Sequence, residues 1–280
     1  MKLKQSIIIL AACIAAIFLI HIVHALTLDR IIQYVEISFQ SPRIPEEMDG
    51  FRIAFVTDTH NISPERLQGV AERLNASDIH LLLLGGDMYH QTYENPWVSI
   101  GILSQVETTY GIFGVDGNHD YRILLDVMES YGITPLSNSG VHIRENFFLA
   151  GVDDTGPRRL EPHGTEWAMF QADIPTAVAD AHPNDFVLLL THMPDEAMRQ
   201  PTVGIDLILA GHTHGGQITF FGIWAPALAR GGVITNYGQR FRSGWAESRD
   251  GVPVFVSNGT GAYLPRVFAR PQVVIVTLRH

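Results

Sequence analysis

Cysteine is almost missing from this chain of 280 residues: Cys13 stands alone. That excludes an intrachain disulfide and a thiolate metal site, and it leaves the redox compartment undetermined. Basic residues are also few. Nineteen Lys and Arg against twenty-nine Asp and Glu give a net charge of −10, which argues against broad nucleic-acid binding, because that needs a basic surface. An anionic ligand would have to be drawn by local charges and not by the overall field. There is no internal repeat and no low-complexity stretch, and from Gln5 to Leu28 there is no Asp, Glu, Lys or Arg at all.

This uncharged run, nearly all Ile, Ala, Leu, Val and Phe from Ser6 to Leu26, is long enough as a helix to cross a bilayer core of about 30 Å at about 1.5 Å per residue. Lys2 and Lys4 precede it, which favours a cytoplasmic N-terminus with the domain that follows on the outer face of the membrane; Arg30 on the far side weakens the bias. Three other readings of the run stay open. Val23-His24-Ala25 is an acceptable signal-peptide cleavage site. Leu10-Ala11-Ala12-Cys13 matches a lipoprotein box, although a lipidated cysteine is normally followed by polar sequence. A buried core helix is disfavoured by the lack of an amphipathic pattern. His21 and His24 are expected at the membrane interface. The predicted division is an anchor or uncleaved signal over 1–28, a linker with one strand over 29–50, and one domain over 51–280.

Within that domain, apolar runs of strand length (Phe51 to Val56, Ile79 to Leu84, Tyr110 to Val115, Phe186 to Leu190, Ile205 to Ala210) each precede a polar cluster. The clusters are Asp58-Thr59-His60, Gly86-Asp87, Gly117-Asn118-His119-Asp120, Thr191-His192 and Gly211-His212-Thr213-His214. Helices are predicted from Pro64 to Asn75, with Ser63 as cap, from Pro96 to Val106 and from Asp120 to Tyr131. Tyr34 to Phe39 reads as the linker strand. Phe147 to Val152, Val254 to Ser257 and Val273 to Leu278 read as strands of a second sheet. The alternation of strands and helices is that of an α/β fold, and polar residues after strand ends place a site at one edge of a sheet.

Two divalent cations held close together need a bridging anion, and Asp87 is the natural bridge. One cation would take Asp58, His60 and His214, and the other Asn118, His192 and His212. A shell of nitrogen and oxygen without thiolate suits manganese, iron or zinc, whereas calcium or magnesium would prefer oxygen throughout; manganese is the first expectation, with zinc or iron as alternatives. His212 and His214 can serve one site only if their segment is irregular, which Gly211 and Gly215-Gly216 permit.

The order of these five clusters over residues 51 to about 220 resembles the calcineurin-like metallophosphoesterase superfamily. Ala210-Gly211-His212-Thr213-His214-Gly215-Gly216-Gln217-Ile218, with Asp49-Gly50-Phe51-Arg52-Ile53, Asn258-Gly259-Thr260-Gly261 and Arg270-Pro271, is similar to its bacterial membrane-associated YkuE-like branch. The resemblance implies a four-layer α/β/β/α sandwich of two mixed sheets, with a dimetal site at the C-terminal ends of strands. It implies hydrolysis of phosphate esters by a hydroxide bridging two metals. It puts Asp58, His60, Asp87, Asn118, His192, His212 and His214 on the metal ligands, His119 on the catalytic histidine beside the leaving group, and Asp120 on the residue that orients it.

Thr57 and Thr59 replace a commoner serine and leucine without touching a ligand. The tyrosine ligand of purple acid phosphatases has His90 in its place, with Tyr89 one residue early, so a charge-transfer iron site is not expected. His90, Arg158, Arg159, Arg240 and Arg242 are candidates for contact with substrate phosphate or a lipid headgroup, a solvated surface role being the alternative for the arginines. Phe220, Phe221 and Trp224 would form an apolar lip near the His212 loop, or belong to the core. Expected overall is a membrane-anchored phosphoesterase acting on a phosphodiester or pyrophosphate, possession of every motif position arguing against a catalytically idle membrane scaffold. One variant of this reading is a UDP-2,3-diacylglucosamine pyrophosphatase of lipid A assembly, which would require a cytoplasmic site.

Overall fold

The computed structural model describes residues 2–89, 94–162, 164–229, 234–262 and 265–280; His90 lies outside them. A long helix α1 (Lys2–Leu26) precedes the domain. The first sheet is built from β1 (Gln33–Gln40), β2 (Arg52–Val56), β3 (Leu81–Gly85), β4 (Ile112–Val115), β5 (Thr134–Pro135) and β14 (Gln272–Arg279), in the order β1-β14-β2-β3-β4-β5. The second contains β6 (Ser139–Arg144), β7 (Phe147–Gly151), β10 (Phe186–Thr191), β11 (Leu207–Ala210), β12 (Gly244–Glu247) and β13 (Pro253–Val256), in the order β12-β13-β11-β10-β7-β6. A small hairpin pairs β8 (Gly156–Arg159) with β9 (Trp167–Phe170). Helices α2 (Pro64–Asn75), α3 (Val98–Leu103) and α4 (Leu124–Ser130) cover the first sheet, and α5 (Ile174–Ala177) and α6 (Glu196–Arg199) cover the second.

Four layers follow from strands that are apolar on both faces. Along β2, Ala54 and Val56 pack toward α2 to α4, while Ile53 and Phe55 point into the space between the sheets; β3 divides in the same way, with Leu82 and Leu84 on one side and Leu81 and Leu83 on the other. A period of two across a strand buried on both sides produces this split. Phe147, Phe186, Leu188, Leu190, Leu207 and Leu209 close the middle layer from the second sheet. The α/β/β/α sandwich implied by the resemblance is the fold found.

Helix α2 has the predicted limits because Ser63 caps it, its hydroxyl accepting from the Arg66 N–H, and Pro64 opens it. The other two predicted helices are shorter. The third starts only at Leu124, because Asp120 is held in the preceding turn by the backbone groups described below. Pattern alone puts one strand in the wrong sheet: Val273 to Leu278 belongs to the first sheet, where β14 runs parallel to β1 and antiparallel to β2. An apolar strand does not encode its neighbour, and the pairing is decided by the chain's return across the first sheet.

Candidate metal centre

Asp58, Asp87 and Asn118 follow the C-terminal ends of β2, β3 and β4, and His192 and His212 follow those of β10 and β11. Both sheets therefore deliver side chains to one point, as parallel strands do at their carboxyl edge. The backbone there is irregular. Asp58, His60, Asp87, His212 and His214 all have positive φ, between 38° and 69°, a conformation costing roughly 1–3 kcal/mol per non-glycine residue and held only where surroundings over-determine it. Gly211 is one such surrounding: a Cβ on it would lie 2.4 Å from both Asp58 Oδ2 and Thr57 Oγ1. At Gly117 a Cβ would meet Asp87 Oδ1 at 2.4 Å. Both sites need glycine because a carboxylate passes against the bare backbone.

Asp87 Oδ2 lies 3.3 Å from His60 Nε2 and 3.3 Å from His192 Nε2. On one side of it, His60 Nε2 is 2.9 Å from His214 Nε2, which is 3.3 Å from Asp58 Oδ1. On the other, His192 Nε2 is 3.1 Å from Asn118 Oδ1, which is 2.9 Å from His212 Nδ1. Ligand atoms about 2.0–2.2 Å from a common ion lie about 3.0–3.5 Å apart in tetrahedral or octahedral shells. Two donor sets that share one carboxylate oxygen thus fit two divalent ions. The structure brings the side chains of Asp58, His60, Asp87, Asn118, His192, His212 and His214 together at this one point.

Backbone carbonyls choose which ring nitrogen faces inward. His192 Nδ1 donates to Gly85 O at 2.7 Å, and His212 Nε2 donates to Ile234 O at 2.8 Å, so Nε2 of the first and Nδ1 of the second point at the centre. Asp58 is oriented by the Thr57 hydroxyl at 2.8 Å and by the His212 N–H at 3.1 Å from each oxygen.

Burial pushes the imidazoles of His60 and His212 down, to about 3 and about 4, and lowers His214 as well, with the Arg266 charge adding to the effect. These three rings are neutral and ready to ligate. Burial would raise Asp87, but the His192 and His60 rings outweigh it and hold the carboxyl well below the usual range. His192 is the converse: burial opposes its charge, and Asp87 overrides burial and raises it well above an ordinary histidine. Burial, with the charge of Asp87, raises Asp58 to about 6 against the pull of His192.

His119 stands at the exposed side of the centre. Its N–H donates to Asp87 Oδ1 at 2.8 Å, and its ring lies edge-on to His60 at 5.4 Å. Asp120 is buried, and the structure gives it backbone partners: Oδ2 accepts from the N–H of Asp87 and Gly117 at 2.7 and 2.8 Å, and Oδ1 from those of Met88 and Tyr89, both at 2.9 Å. It ties the loop after β3 to the loop after β4. Burial and the neighbouring Asp87 push its pKa up to about 8, but a proton on either oxygen would face two N–H donors, so the four donors hold it ionised.

The arginines are distributed differently from one another. Arg158 is turned inward and forms a buried ion pair with Asp116, its Nη2 also donating to Asp154 O at 3.0 Å. Arg159 stacks over Trp167, 5.2 Å from the ring centre, on a groove that starts at Asn118 and His119. Arg240 donates to Glu247 O at 2.7 Å beside β12, and Arg242 is half-buried beneath the His212 loop, its carbonyl accepting from Thr213 Oγ1 at 2.9 Å. Phe220, Phe221 and Trp224 are exposed and form a lip, not core.

Arg266 was not legible in the sequence. Fully buried, it donates to the carbonyls of His214, Ala269, Asn258 and Gly261 and sets Nη2 3.3 Å from His214 Nδ1. Burial lowers its pKa to about 10. Nothing in Pro265-Arg266-Val267 marks such a role; the nearest signal is Asn258-Gly259-Thr260-Gly261, whose carbonyls it gathers.

The cavity over the centre has a volume of about 420 Å³, with Asp87, His119, His212 and His214 at its floor and Ile218, Pro226, Ala227 and Ile234 on its walls. A family model described as calcineurin-like phosphoesterase matches residues 51–216. Among curated relatives, an uncharacterized metallophosphoesterase of Campylobacter jejuni is 25% identical over 279 residues, covering 96% of this chain and 69% of that one. The uncharacterized metallophosphoesterase YkuE of Bacillus subtilis is 27% identical over 265 residues, 89% of this chain and 86% of its own. A Danio rerio protein named as a transmembrane protein with metallophosphoesterase domain is 25% identical over 263 residues, 88% of this chain and 57% of its own. The chain spans 61% of the length of two Helicobacter pylori relatives.

Proposed function

We propose, because the chain belongs to the calcineurin-like phosphoesterase family, that it is a membrane-anchored hydrolase of phosphodiester or pyrophosphate bonds that uses two divalent metals, manganese first. The observation that carries this reading is the single oxygen of Asp87, 3.3 Å from a ligand nitrogen of each donor set. When bound, a pair of divalent ions neutralises phosphoryl oxygens and acidifies the attacking water. The chain's own residues do the rest. Asp58, Asp87 and Asn118 with the four histidines fix where the phosphoryl group lies. His119, on the open side of the cavity, donates a hydrogen bond or proton to the departing oxygen. Its backbone N–H on Asp87 Oδ1 keeps it in register with the bridging carboxylate. The apolar walls of Ile218, Pro226, Ala227 and Ile234 keep bulk water from the reacting group. Helix α1, which contains an 18-residue window of mean hydropathy 2.9, serves as the anchor, and Lys2 and Lys4 favour a site on the outer face.

The test is turnover of an aryl phosphodiester by the full chain in detergent with manganese, beside the His119→Ala and Asp87→Ala variants. His119→Ala should keep its metal and lose about 10²- to 10⁴-fold in turnover. Asp87→Ala should lose both. Equal activity in wild type and both variants would end the enzyme reading. UMP release from UDP-2,3-diacylglucosamine, far faster than diester cleavage, would move the site to the cytoplasmic face.

A further inference from the structure

The cavity wall, the exposed lip and the N-terminal helix are continuous. Ile218 lines the cavity and is half-exposed. The chain then runs through Phe220, Phe221, Ile223 and Trp224, whose relative exposures are 52%, 36%, 75% and 47%. An exposed apolar cluster of this kind, two residues from a cavity-lining side chain, is not explained by packing within the domain.

The same cluster touches α1. His21 packs against Phe221 at 4.6 Å between ring centres and against Phe220 at 5.4 Å, and Phe268 reaches His21 at 4.9 Å and stacks on His24 at 3.8 Å. Beyond the helix, Asp29 fixes the join: its carboxylate accepts from the N–H of Phe268 at 2.9 Å and of Ala269 at 3.2 Å, and it pairs with His24 Nδ1 at 2.7 Å. His21 lies five residues before Leu26, so the lip meets the helix about 7.5 Å back from its end, on the side of the apolar run. No residue of that run is buried by the protein, and apart from Ile17 and the residues beside the lip its side chains are exposed.

We infer that the lip formed by Phe220, Phe221, Ile223 and Trp224 rests in the surface of the bilayer that α1 spans, so that the metal cavity opens at the lipid interface and takes a phosphate ester whose apolar part stays in the membrane. The occupant of this apolar face is the bilayer, because the face continues the surface of a helix that lipid must cover. The lip brings the cavity mouth to the depth of lipid headgroups, and the walls at Ile218, Pro226 and Ala227 receive the start of an acyl or prenyl chain while the phosphate reaches His119 and Asp87. This deepens the hydrolase reading and rests on it for the substrate, but the bilayer contact stands on its own.

The test uses the full chain reconstituted with manganese in phosphatidylcholine vesicles. Two diesters with one leaving group are compared: phosphatidyl-p-nitrophenol in the vesicle and ethyl p-nitrophenyl phosphate in solution. Ile223→Asp, at a position that lines no part of the cavity, should slow the vesicle-borne ester about tenfold or more, by the loss of one buried aliphatic side chain, and leave the soluble one unchanged. In vesicles of dibrominated phosphatidylcholine, tryptophan emission should be quenched, and the quenching should fall in Trp224→Phe. Equal slowing of both esters, or unchanged lipid turnover together with absent quenching, would overturn the inference. A wild type that cleaves neither ester while its Trp224 is quenched would refute the hydrolase reading and leave the bilayer contact supported.

Discussion

Asp120→Asn separates two roles for a residue beside the reacting centre. The carboxylate uses both oxygens to accept four backbone N–H groups, two per oxygen. An amide of the same shape has one oxygen, so whichever way it turns, its NH₂ faces two N–H donors. Each hydrogen bond to a charged acceptor is worth about 1.5–3 kcal/mol, so losing two costs about 3–6 kcal/mol. Against a total stability of about 5–15 kcal/mol this is large, and in thermal unfolding it amounts to a shift on the order of 10 °C for a domain of this size. The displaced groups are the N–H of Asp87 and Gly117, or those of Met88 and Tyr89, so the bridging ligand moves and metal affinity falls too. Denaturant unfolding of the metal-free protein and a manganese titration give both quantities. If Asp120→Asn kept its unfolding midpoint and metal affinity but lost turnover, the residue would be acting on the His119 ring, as the resemblance implies, and the account of it as a tie between two loops would be refuted.

At pH 7 the metal-free centre holds a proton on His192, whose pKa is raised, while His60, His212 and His214 are neutral because theirs are lowered. Metal loading should therefore release about one proton, and as pH falls through about 6 Asp58 adds a second. Affinity should drop about tenfold per pH unit near neutrality and more steeply below 6; calorimetric titration in buffers of different ionisation enthalpy reads this directly, and no buffer dependence would contradict it. Arg158→Met should leave Asp116 buried with the Asp154 N–H at 3.1 Å and, among the described residues, Arg122 at 3.6 Å as its remaining cation, and destabilise the fold by about 3 kcal/mol. Its KM for a soluble diester should not change; a raised KM with unchanged stability would return Arg158 to the substrate.

The sequence by itself determined which polar residues follow the strand ends and where the strands run, because both are local. An apolar run followed by Asp, Asn or His is visible in one dimension, and strand ends with glycine beside a polar side chain mark a loop whatever the neighbours are. The long uncharged helix and the capped start of α2 are legible for the same reason. Tertiary structure alone decided the rest. Which sheet receives Gln272–Arg279 depends on pairing with β1 and β2, which an all-apolar strand does not announce. The three donors that Asp120 takes from the loop after β3, the burial of Arg158 against Asp116 and the His214 carbonyl held by Arg266 join segments that lie more than thirty residues apart in the chain. The contact between His21 and the lip at Phe220 and Phe221 spans about two hundred residues. Such contacts carry no local pattern, because an isolated arginine or phenylalanine looks the same whether it ends in solvent, in a core or at a membrane surface.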